Sequence, residues 1–298
     1  MKYQSGGAFR NALEDRLRRQ SLDSGMPLVR LRKMVAFERF LARLMVNQAG
    51  DWLLKGGLAL QWRLGNVART TRDLDMLLTV PAQDIHASLV RAALLDLGDW
   101  FRFLVRQPTI SPNPGGGQRF MVQTLLDGRP FEAFHLDVGW GDPVLEPAEM
   151  LSAPPLLGFA DIEPSTILCY PVTQHIAEKV HAYTRIHLSG ESSRVKDLVD
   201  ILLLARMARP KGPVLSEALR LTFEARNTHP LPLTLSSPPA NWALPFRRMA
   251  REVKLEWDDL AQAVEQARRF LEPVLSGQAQ GVWDPLTWQW PGTPPPVD

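Results

Sequence analysis

The sequence contains a single cysteine, Cys169, and no apolar run close to the roughly 20 residues that a membrane-spanning helix needs. One cysteine excludes a framework of disulfide bonds and a zinc site built on cysteine ligands. The first 20 residues carry no apolar segment after their charges, so we expect no secretory signal. Together these absences predict a cytoplasmic protein that has no membrane partner.

The net charge is also small, because 34 Lys and Arg residues are nearly balanced by 32 Asp and Glu residues. This balance is too even to identify a nucleic-acid-binding protein by itself. The first 50 residues differ, with ten basic residues against four acidic ones. This basic excess indicates either the solvated face of amphipathic helices or a surface that contacts a phosphate backbone. Its clusters are Arg16, Arg18 and Arg19, and Arg30, Arg32 and Lys33.

A hydrophobic fraction of 45% over 298 residues is typical of a globular protein with one large domain or two ordinary ones. The periodicity of apolar residues divides the sequence into two unlike halves. In the first half it predicts helices over 8–20, 27–49, 58–64 and 84–97, and strands over 52–54, 72–80, 101–106, 119–126 and 131–139.

The second half is predicted to be mainly helical, with helices over 173–188, 193–208, 214–226 and 255–271. Prolines between positions 230 and 245 predict a long irregular connection. Residues 281–298 indicate either an extended arm that packs its tryptophans or a partly disordered tail. We therefore predict an α+β (mixed α/β) fold, with an α/β domain over residues 1–165 and a mainly helical domain over 166–298.

Two carboxylates, Asp73 and Asp75, lie two positions apart in a predicted strand and therefore project from the same face. Negative charges this close repel each other unless a cation lies between them, and carboxylate oxygens suit Mg²⁺ or Mn²⁺. Solvated acids on an exposed strand would explain the same pattern.

The segment Lys55-Gly56-Gly57 joins a predicted strand to a predicted helix. Glycines at such a turn allow close approach of the backbone, and N–H groups at a helix N-terminus attract phosphate. Asp137, in another predicted strand, is a candidate third carboxylate. A phosphate-binding turn with three carboxylates describes a metal-dependent nucleotidyl-transfer site, in which Asp137 is a general base or a ligand of a second metal ion.

The stretch LLKGGLALQWRLGNVARTTRDLDMLL resembles the signature of the AbiEii/AbiGii toxin nucleotidyltransferases, members of the DNA polymerase β-like superfamily. The segments QHIAEKVHAYTR and SRVKDLVDILLL fit the same family, and FEARNTHPLP is similar to its mycobacterial MenT branch. The resemblance covers roughly residues 28–270. It implies a nucleotidyltransferase-type mixed sheet with flanking helices, followed by a mainly helical C-terminal half.

The resemblance also implies roles for individual residues. Position 58 departs from the family, because Leu58 replaces a small hydroxyl residue and removes a side-chain hydrogen bond to phosphate. The implied catalytic residues are Asp73, Asp75, Asp137, Lys179 and Asp197, of which the first three would bind Mg²⁺ or Mn²⁺; the implied substrate-binding residues are Lys55, Gly56, Gly57, Arg69, Thr71, Asp200 and Arg226.

Several of these residues also have an ordinary structural explanation. Lys179 would neutralise triphosphate charge or would be a surface lysine beside an apolar stripe. Asp197 and Asp200 share a helix face and would orient Lys179 or pair with basic residues of their own helix. Arg226 would bind substrate or be a charge at a helix C-terminus. Phosphorylation of Thr71 would place negative charge beside the two aspartates, and we expect it to inactivate the protein.

The function implied by the resemblance is that of a toxin in a toxin–antitoxin system, which transfers nucleotides from an NTP to the 3′ end of tRNA. Blocked translation and growth arrest would follow, and a cognate antitoxin encoded nearby would be the protein partner. Two alternatives stay open: the same transfer to a hydroxyl of a protein or a small molecule, and a nucleotide-binding protein without catalytic activity.

Overall fold

A computed structural model describes residues 1–48, 50–69, 71–81, 84–110, 116–185 and 194–291. The chain divides into two compact units. Unit 1 comprises Met1–Arg63, Thr70–Gly141 and Ala148–Cys169, and unit 2 comprises Leu64–Arg69, Asp142–Pro147 and Tyr170–Asp298. The α+β class predicted from the sequence is confirmed. The predicted domain boundary at residue 165 stays a prediction.

Unit 1 is a mixed β-sheet covered by helices. Its helices are α1 (Gly6–Ser24), α2 (Leu28–Gln48), α3 (from Gly56, ending at Leu64) and α4 (Ile85–Leu94). Its strands are β1 (Trp52–Lys55), β2 (Asp73–Leu78), β3 (Phe101–Val105), β4 (Thr109–Ile110), β5 (Gln118–Leu126), β6 (Arg129–Trp140), β7 (Glu149–Ser152) and β8 (Thr166–Cys169). The strand order is β3-β5-β6-β2-β1-β8-β7, and β4 pairs with β5.

The sheet is mixed because β2 runs parallel to β6 and β1 runs parallel to β8, while its other strand pairs are antiparallel. Its core is apolar and aromatic. Phe37 and Phe40 of α2 contact Phe134 of β6 edge-to-face, with ring centroids 4.9 and 5.9 Å apart. Burial of these apolar side chains against the sheet stabilises it and holds the central strands β2 and β6 in place.

Unit 2 is helical, with α5 (Val172–Thr184), α6 (Val195–Met207), α7 (Gly212–Arg226), α8 (Ala243–Glu252) and α9 (Leu260–Leu275). The predicted extension of α5 over 186–188 and residues 292–298 of the C-terminal segment lie outside the described residues. Over residues 281–291 the chain is a packed arm: Trp283 and Trp290 are buried, and their indole N–H groups donate to Ala205 O and Phe270 O, each at 2.8 Å.

The structure corrects the sequence-based prediction at several elements. Residues 230–245 were predicted to be irregular throughout, but Pro245 lies in the first turn of α8, where proline removes no helical hydrogen bond. Helix α9 begins at Leu260, not 255, because the Asp259 side chain accepts from Ala261 N and Gln262 N as its N-cap. Strands β4, β7 and β8 were not predicted, since two to four residues show too little alternation to be recognised.

Candidate active site

Four charged residues form a lateral row across the sheet of unit 1. Lys55 of β1 lies beside Asp75 of β2, Asp75 beside Asp137 of β6, and Asp137 beside Arg119 of β5. Laterally paired residues project from the same face of a sheet. The row therefore has the order cation, anion, anion, cation, and we call it the carboxylate row.

A second pair lies on the same face, two positions earlier along β2 and β6. Asp73 is paired in register with His135, and Asp73 Oδ1 lies 3.5 Å from His135 Nδ1. Both side chains are 42% exposed. The Asp73 carboxylate is therefore accessible to a ligand that arrives from solvent.

Arg119 binds Asp137 through two parallel hydrogen bonds. Arg119 Nε donates to Asp137 Oδ1 at 2.7 Å, and Nη2 donates to Oδ2 at 2.6 Å. The hydrogen bond to Asp137 raises the pKa of Arg119; partial desolvation opposes this, and the charges of Asp137, Asp73 and Asp75 add to it. Both oxygens of Asp137 are thus engaged by a side chain of the same sheet.

Gly56 explains why glycine follows β1. Its φ is +66°, in the region that favours glycine, and a Cβ at this position would collide with the Asp75 carboxylate. Helix α3 begins at this residue, so the positive end of its dipole lies against the Asp75 carboxylate. The predicted Lys55-Gly56-Gly57 turn is therefore brought next to Asp75, with Gly56 and Gly57 as the first helical residues.

The side chains of Leu58 and Thr71 make contacts within the protein itself. Leu58 is fully buried in the core of unit 1, so this position, where the family resemblance led us to expect a hydroxyl residue, supplies packing. Thr71 Oγ1 donates to the backbone carbonyl of Asp73 at 3.1 Å. This bond holds the entry into β2, and a substrate-binding role of Thr71 stays a prediction.

In unit 2, Lys179 is the centre of a buried ion network that we call the lysine cluster. Lys179 Nζ lies 2.7 Å from Asp200 Oδ2 and 3.3 Å from Asp197 Oδ1. The alternative that Lys179 is a surface lysine is wrong, since the residue is only 9% exposed. The lysine ammonium is thus held in place by both acids of the segment SRVKDLVDILLL, Asp197 and Asp200.

Two arginines complete the lysine cluster. Arg69 Nε and Nη2 donate to the two oxygens of Asp200, each at 2.8 Å, and the substrate-binding role of Arg69 stays a prediction. Arg194 Nη1 lies 3.3 Å from Asp197 Oδ2. Asp197 therefore also forms the ion pair with a nearby basic residue, three positions before it, that was the alternative explanation. Burial opposes ionisation of Asp200, but Lys179 and Arg69 outweigh it and lower its pKa to about 2.

Arg226 is bound to acidic residues of unit 2. Its Nη2 donates to Glu178 Oε1 at 2.6 Å and lies 3.4 Å from Asp142 Oδ1. Burial opposes the charge of Arg226, but Glu178 and Asp142 outweigh it and raise its pKa. Its charge is therefore balanced within the unit, and a role in substrate binding stays a prediction.

The donor set fits a divalent cation in part. Within the described residues, no group of three or more His, Cys, Asp and Glu side chains is arranged to hold a metal ion. Asp73 and Asp75 project from one face, and Mg²⁺ is commonly bound by one or two carboxylates together with phosphate oxygens of a substrate. The two aspartates suit a cation that arrives with a nucleotide, whereas Asp137 would first have to release Arg119.

Comparison with known proteins places the chain in a class of nucleotidyltransferases. The profile of the family described as "Nucleotidyl transferase AbiEii toxin, Type IV TA system" matches residues 39–270. The chain therefore belongs to the AbiEii family of nucleotidyltransferase toxins, and the membership predicted from its motifs is confirmed. Comparison with curated proteins gave no match.

Two solved structures are similar to the chain. The MenT4 nucleotidyltransferase toxin of Mycobacterium tuberculosis is 18% identical with a TM-score of 0.51, over 89% of this chain and 98% of that one. JHP933 of Helicobacter pylori is 15% identical with a TM-score of 0.46, over 83% of this chain and 94% of that one. At this level of identity the likeness to MenT4 shows a shared fold.

Two residues beside the predicted carboxylates, Arg119 and His135, were not predicted to belong to the site. Both lie in strands that were predicted, and the Asp127-Gly128 pair between them is a hairpin signal. That signal indicates which strands pair, but it does not indicate which residue of β5 lies beside Asp137.

Over the described part of the chain, no helix has the length and apolar character to cross a bilayer.

Proposed function

We propose that this chain is a metal-dependent toxin that transfers a nucleotide from an NTP to the 3′ end of tRNA. The carboxylate row beside the Gly56 turn is the observation that carries the proposal. It combines acids for a divalent cation with a helix N-terminus for phosphate. Family membership supports the reaction type.

In the proposed reaction a 3′-hydroxyl attacks the α-phosphate of the NTP. The hydroxyl proton passes to Asp137 or to solvent, a bond forms between the hydroxyl oxygen and the α-phosphorus, the bond from this phosphorus to the bridging oxygen of the β-phosphate breaks, and pyrophosphate leaves. When bound, Mg²⁺ or Mn²⁺ supplies charge neutralisation at the phosphates. Asp73 and Asp75 hold this cation, the backbone of Gly56 and Gly57 together with Lys55 binds the triphosphate, and Asp137 assists the attack.

The lysine cluster has a proposed role of its own. We propose that Lys179 neutralises phosphate charge and that Asp197 and Asp200 position it. The support is geometric, since both acids contact the Lys179 ammonium. A fixed ammonium group needs no reorganisation when negative charge develops.

The choice of tRNA as acceptor is supported by the basic N-terminal helices. Arg16, Arg18 and Arg19 of α1 are exposed, and exposed arginines suit contacts with phosphates. Two other basic residues are used within unit 1, because Arg32 binds Glu14 at 2.5 Å and Lys33 donates to Ala133 O at 2.6 Å. The proposed RNA contact is therefore centred on the three arginines of α1.

The test is transfer of label from each of the four α-labelled NTPs to total tRNA in the presence of Mg²⁺. Label on tRNA with the wild-type chain, absent with Asp73→Asn, is the expected result. Glu163→Gln, which neutralises an acid of unit 1 away from the row, is the matched control and should retain activity. If the label appears on a protein or a small molecule, that molecule and not tRNA is the acceptor. If no acceptor is labelled with any NTP, the result favours a nucleotide-binding protein without catalytic activity.

A cognate antitoxin is also part of the proposal, because the family is that of type IV toxin–antitoxin systems. We expect expression of the chain alone to arrest growth and co-expression with the product of the neighbouring open reading frame to restore it. Arrest by wild type but not by Asp73→Asn would connect toxicity to the proposed metal-binding aspartates. Arrest by both variants would separate toxicity from nucleotidyl transfer.

A further inference from the structure

The proposed function leaves one interaction of the carboxylate row unexplained. Asp137 is predicted to assist the reaction as a base or a metal ligand, yet Arg119 binds both of its oxygens. No motif of the sequence points to Arg119. Its alignment with Asp137 results from an irregularity in the β5–β6 pairing between Thr124 and Leu125.

The charges around Arg119 give this interaction a physical purpose. Without a bound cation, Asp75 and Asp137 are neighbours on adjacent strands, and Asp73 lies two positions away on the same face. At the far end of the row, the Arg119 guanidinium is attracted by all three carboxylates. Arg119 therefore serves as a counter-cation of the acids at the Asp137 end of the row, with Lys55 at the Asp75 end.

The Arg119 side chain is also able to leave. It is 30% exposed, whereas Asp137 is 8% exposed. Its long side chain can carry the charged group into solvent by rotation about its own bonds, without a change of strand pairing. The ion pair between Arg119 and Asp137 thus has good hydrogen-bond geometry, but it can be broken without any change in the sheet.

We propose that Arg119 competes with a divalent cation for Asp137 and so sets how tightly the chain binds metal before nucleotide arrives. The proposal rests on the metal dependence of the proposed function. A cation that binds at Asp137 must displace the guanidinium, since two positive groups on one carboxylate repel each other. Arg119 is in this sense a positioning residue that acts through Asp137.

Metal binding without nucleotide tests the proposal directly. Titration of the full chain with Mn²⁺, followed by electron paramagnetic resonance of the free ion, measures affinity without any turnover. Arg119→Gln should bind Mn²⁺ about tenfold more tightly than wild type, because a charge-assisted pair no longer has to be broken. Arg119→Lys, which keeps the charge but loses the second hydrogen bond, should lie between the two.

Two further variants make the result specific. In the Asp137→Asn background, Arg119→Gln should bring a clearly smaller gain in affinity, because the contested carboxylate is absent and only the longer-range repulsion between Arg119 and a cation at Asp73 and Asp75 is removed. Arg102→Gln removes an equal charge from the neighbouring strand β3, where Arg102 is exposed and pairs with Leu125, six positions along β5 from Arg119. It should leave Mn²⁺ affinity unchanged.

The outcomes separate the two proposals. If wild type binds Mn²⁺ and Arg119→Gln binds it equally or more weakly, competition by Arg119 is overturned and the metal-dependent reaction stands. If no variant binds Mn²⁺, even with a non-hydrolysable NTP analogue present, both proposals fail. Thermal melting of each variant in EDTA identifies any loss of affinity that results from unfolding, and Arg119→Lys keeps the test valid if Arg119→Gln does not fold.

Discussion

Asp75 and Asp137 lie directly beside each other on the parallel strands β2 and β6. Adjacent strands are about 4.8 Å apart, and two unit charges about 5 Å apart repel by about 3 kcal/mol at an effective dielectric constant of about 20. The structure offsets this repulsion from both sides. Arg119 binds Asp137, and Gly56 opens helix α3 against Asp75.

The first prediction concerns Asp73. Asp73→Asn should lower nucleotidyl transfer at least about 100-fold, because a ligand of the proposed cation is removed. Its stability should change by less than about 0.5 kcal/mol, because the side chain is 42% exposed and its Oδ1 lies 3.5 Å from His135 Nδ1, too far for a strong hydrogen bond. Transfer assays together with urea denaturation measure both effects. Full activity of this variant would remove Asp73 from the catalytic residues.

The second prediction separates backbone strain from close packing at Gly56. Gly56→Ala should be destabilised by about 1 kcal/mol for its positive φ and further by the collision with Asp75. Gly25→Ala is a matched control, because Gly25 also has a positive φ but has no atom within 4 Å of the added Cβ. Equal losses in thermal stability would contradict the close approach of Asp75 to Gly56.

The third prediction concerns the lysine cluster. Lys179→Met should destabilise the protein by about 3–5 kcal/mol, because Asp200 has no exposure and, among the residues that the structure describes, would keep Arg69 alone as a cationic partner. Lys196→Met removes an exposed lysine of the same cluster region and should cost less than about 0.5 kcal/mol. Chemical denaturation of both variants measures the difference. Similar losses would show that Lys179 is not the cation on which Asp200 depends.

The fourth prediction concerns pH. Burial lowers the pKa of His181 to about 3, and nearby cations including Arg226 add to this effect. Between about pH 6.5 and about pH 3 the unfolded chain therefore binds a proton at His181 that the folded chain does not bind, so stability should fall as pH falls through this window. His181→Gln should reduce the loss of stability between about pH 7 and about pH 5, as measured by urea denaturation at the two values.

A control for this effect is available next to His181. Thr228→Val removes the hydroxyl that lies 2.8 Å from His181 Nε2 but leaves the imidazole in place. It should lower stability at both pH values and retain the pH dependence of wild type. A wild-type pH dependence in His181→Gln would exclude His181 as its source.

The fifth prediction concerns RNA binding by α1. Replacing Arg16, Arg18 and Arg19 by Gln should weaken tRNA binding. The logarithm of the association constant should also fall less steeply with the logarithm of the salt concentration, by about 0.7–0.9 in slope for each phosphate that is no longer neutralised. Filter binding over a range of salt concentrations measures this slope. Arg16 also lies 4.4 Å over the ring of Phe159, so thermal melting of the variant is needed beside it. An unchanged slope would exclude α1 from the RNA interface.

Local patterns were sufficient for much of the fold. The alternation that places Asp73 and Asp75 on one face follows from the two-residue period of a strand, and β2 is observed where it was predicted. The glycines after β1 indicated a turn that needs special backbone freedom, and Gly56 has a positive φ. Helix α8 was missed because a proline signal is ambiguous between a loop and a first helical turn.

The sequence by itself therefore determined the α+β class and the shared face of Asp73 and Asp75, because covalent geometry dictates these local periods. The family followed from the resemblance of the sequence motifs, which the family match bears out. Only the tertiary structure decided which charges meet. A two-residue turn at Asp127-Gly128 would pair Arg119 with Leu136, and the irregularity beyond Thr124 shifts the partner to Asp137. Arg69 likewise meets Asp200 across 131 positions of the chain. Such pairings depend on long-range packing and strand register, on which no local period carries information.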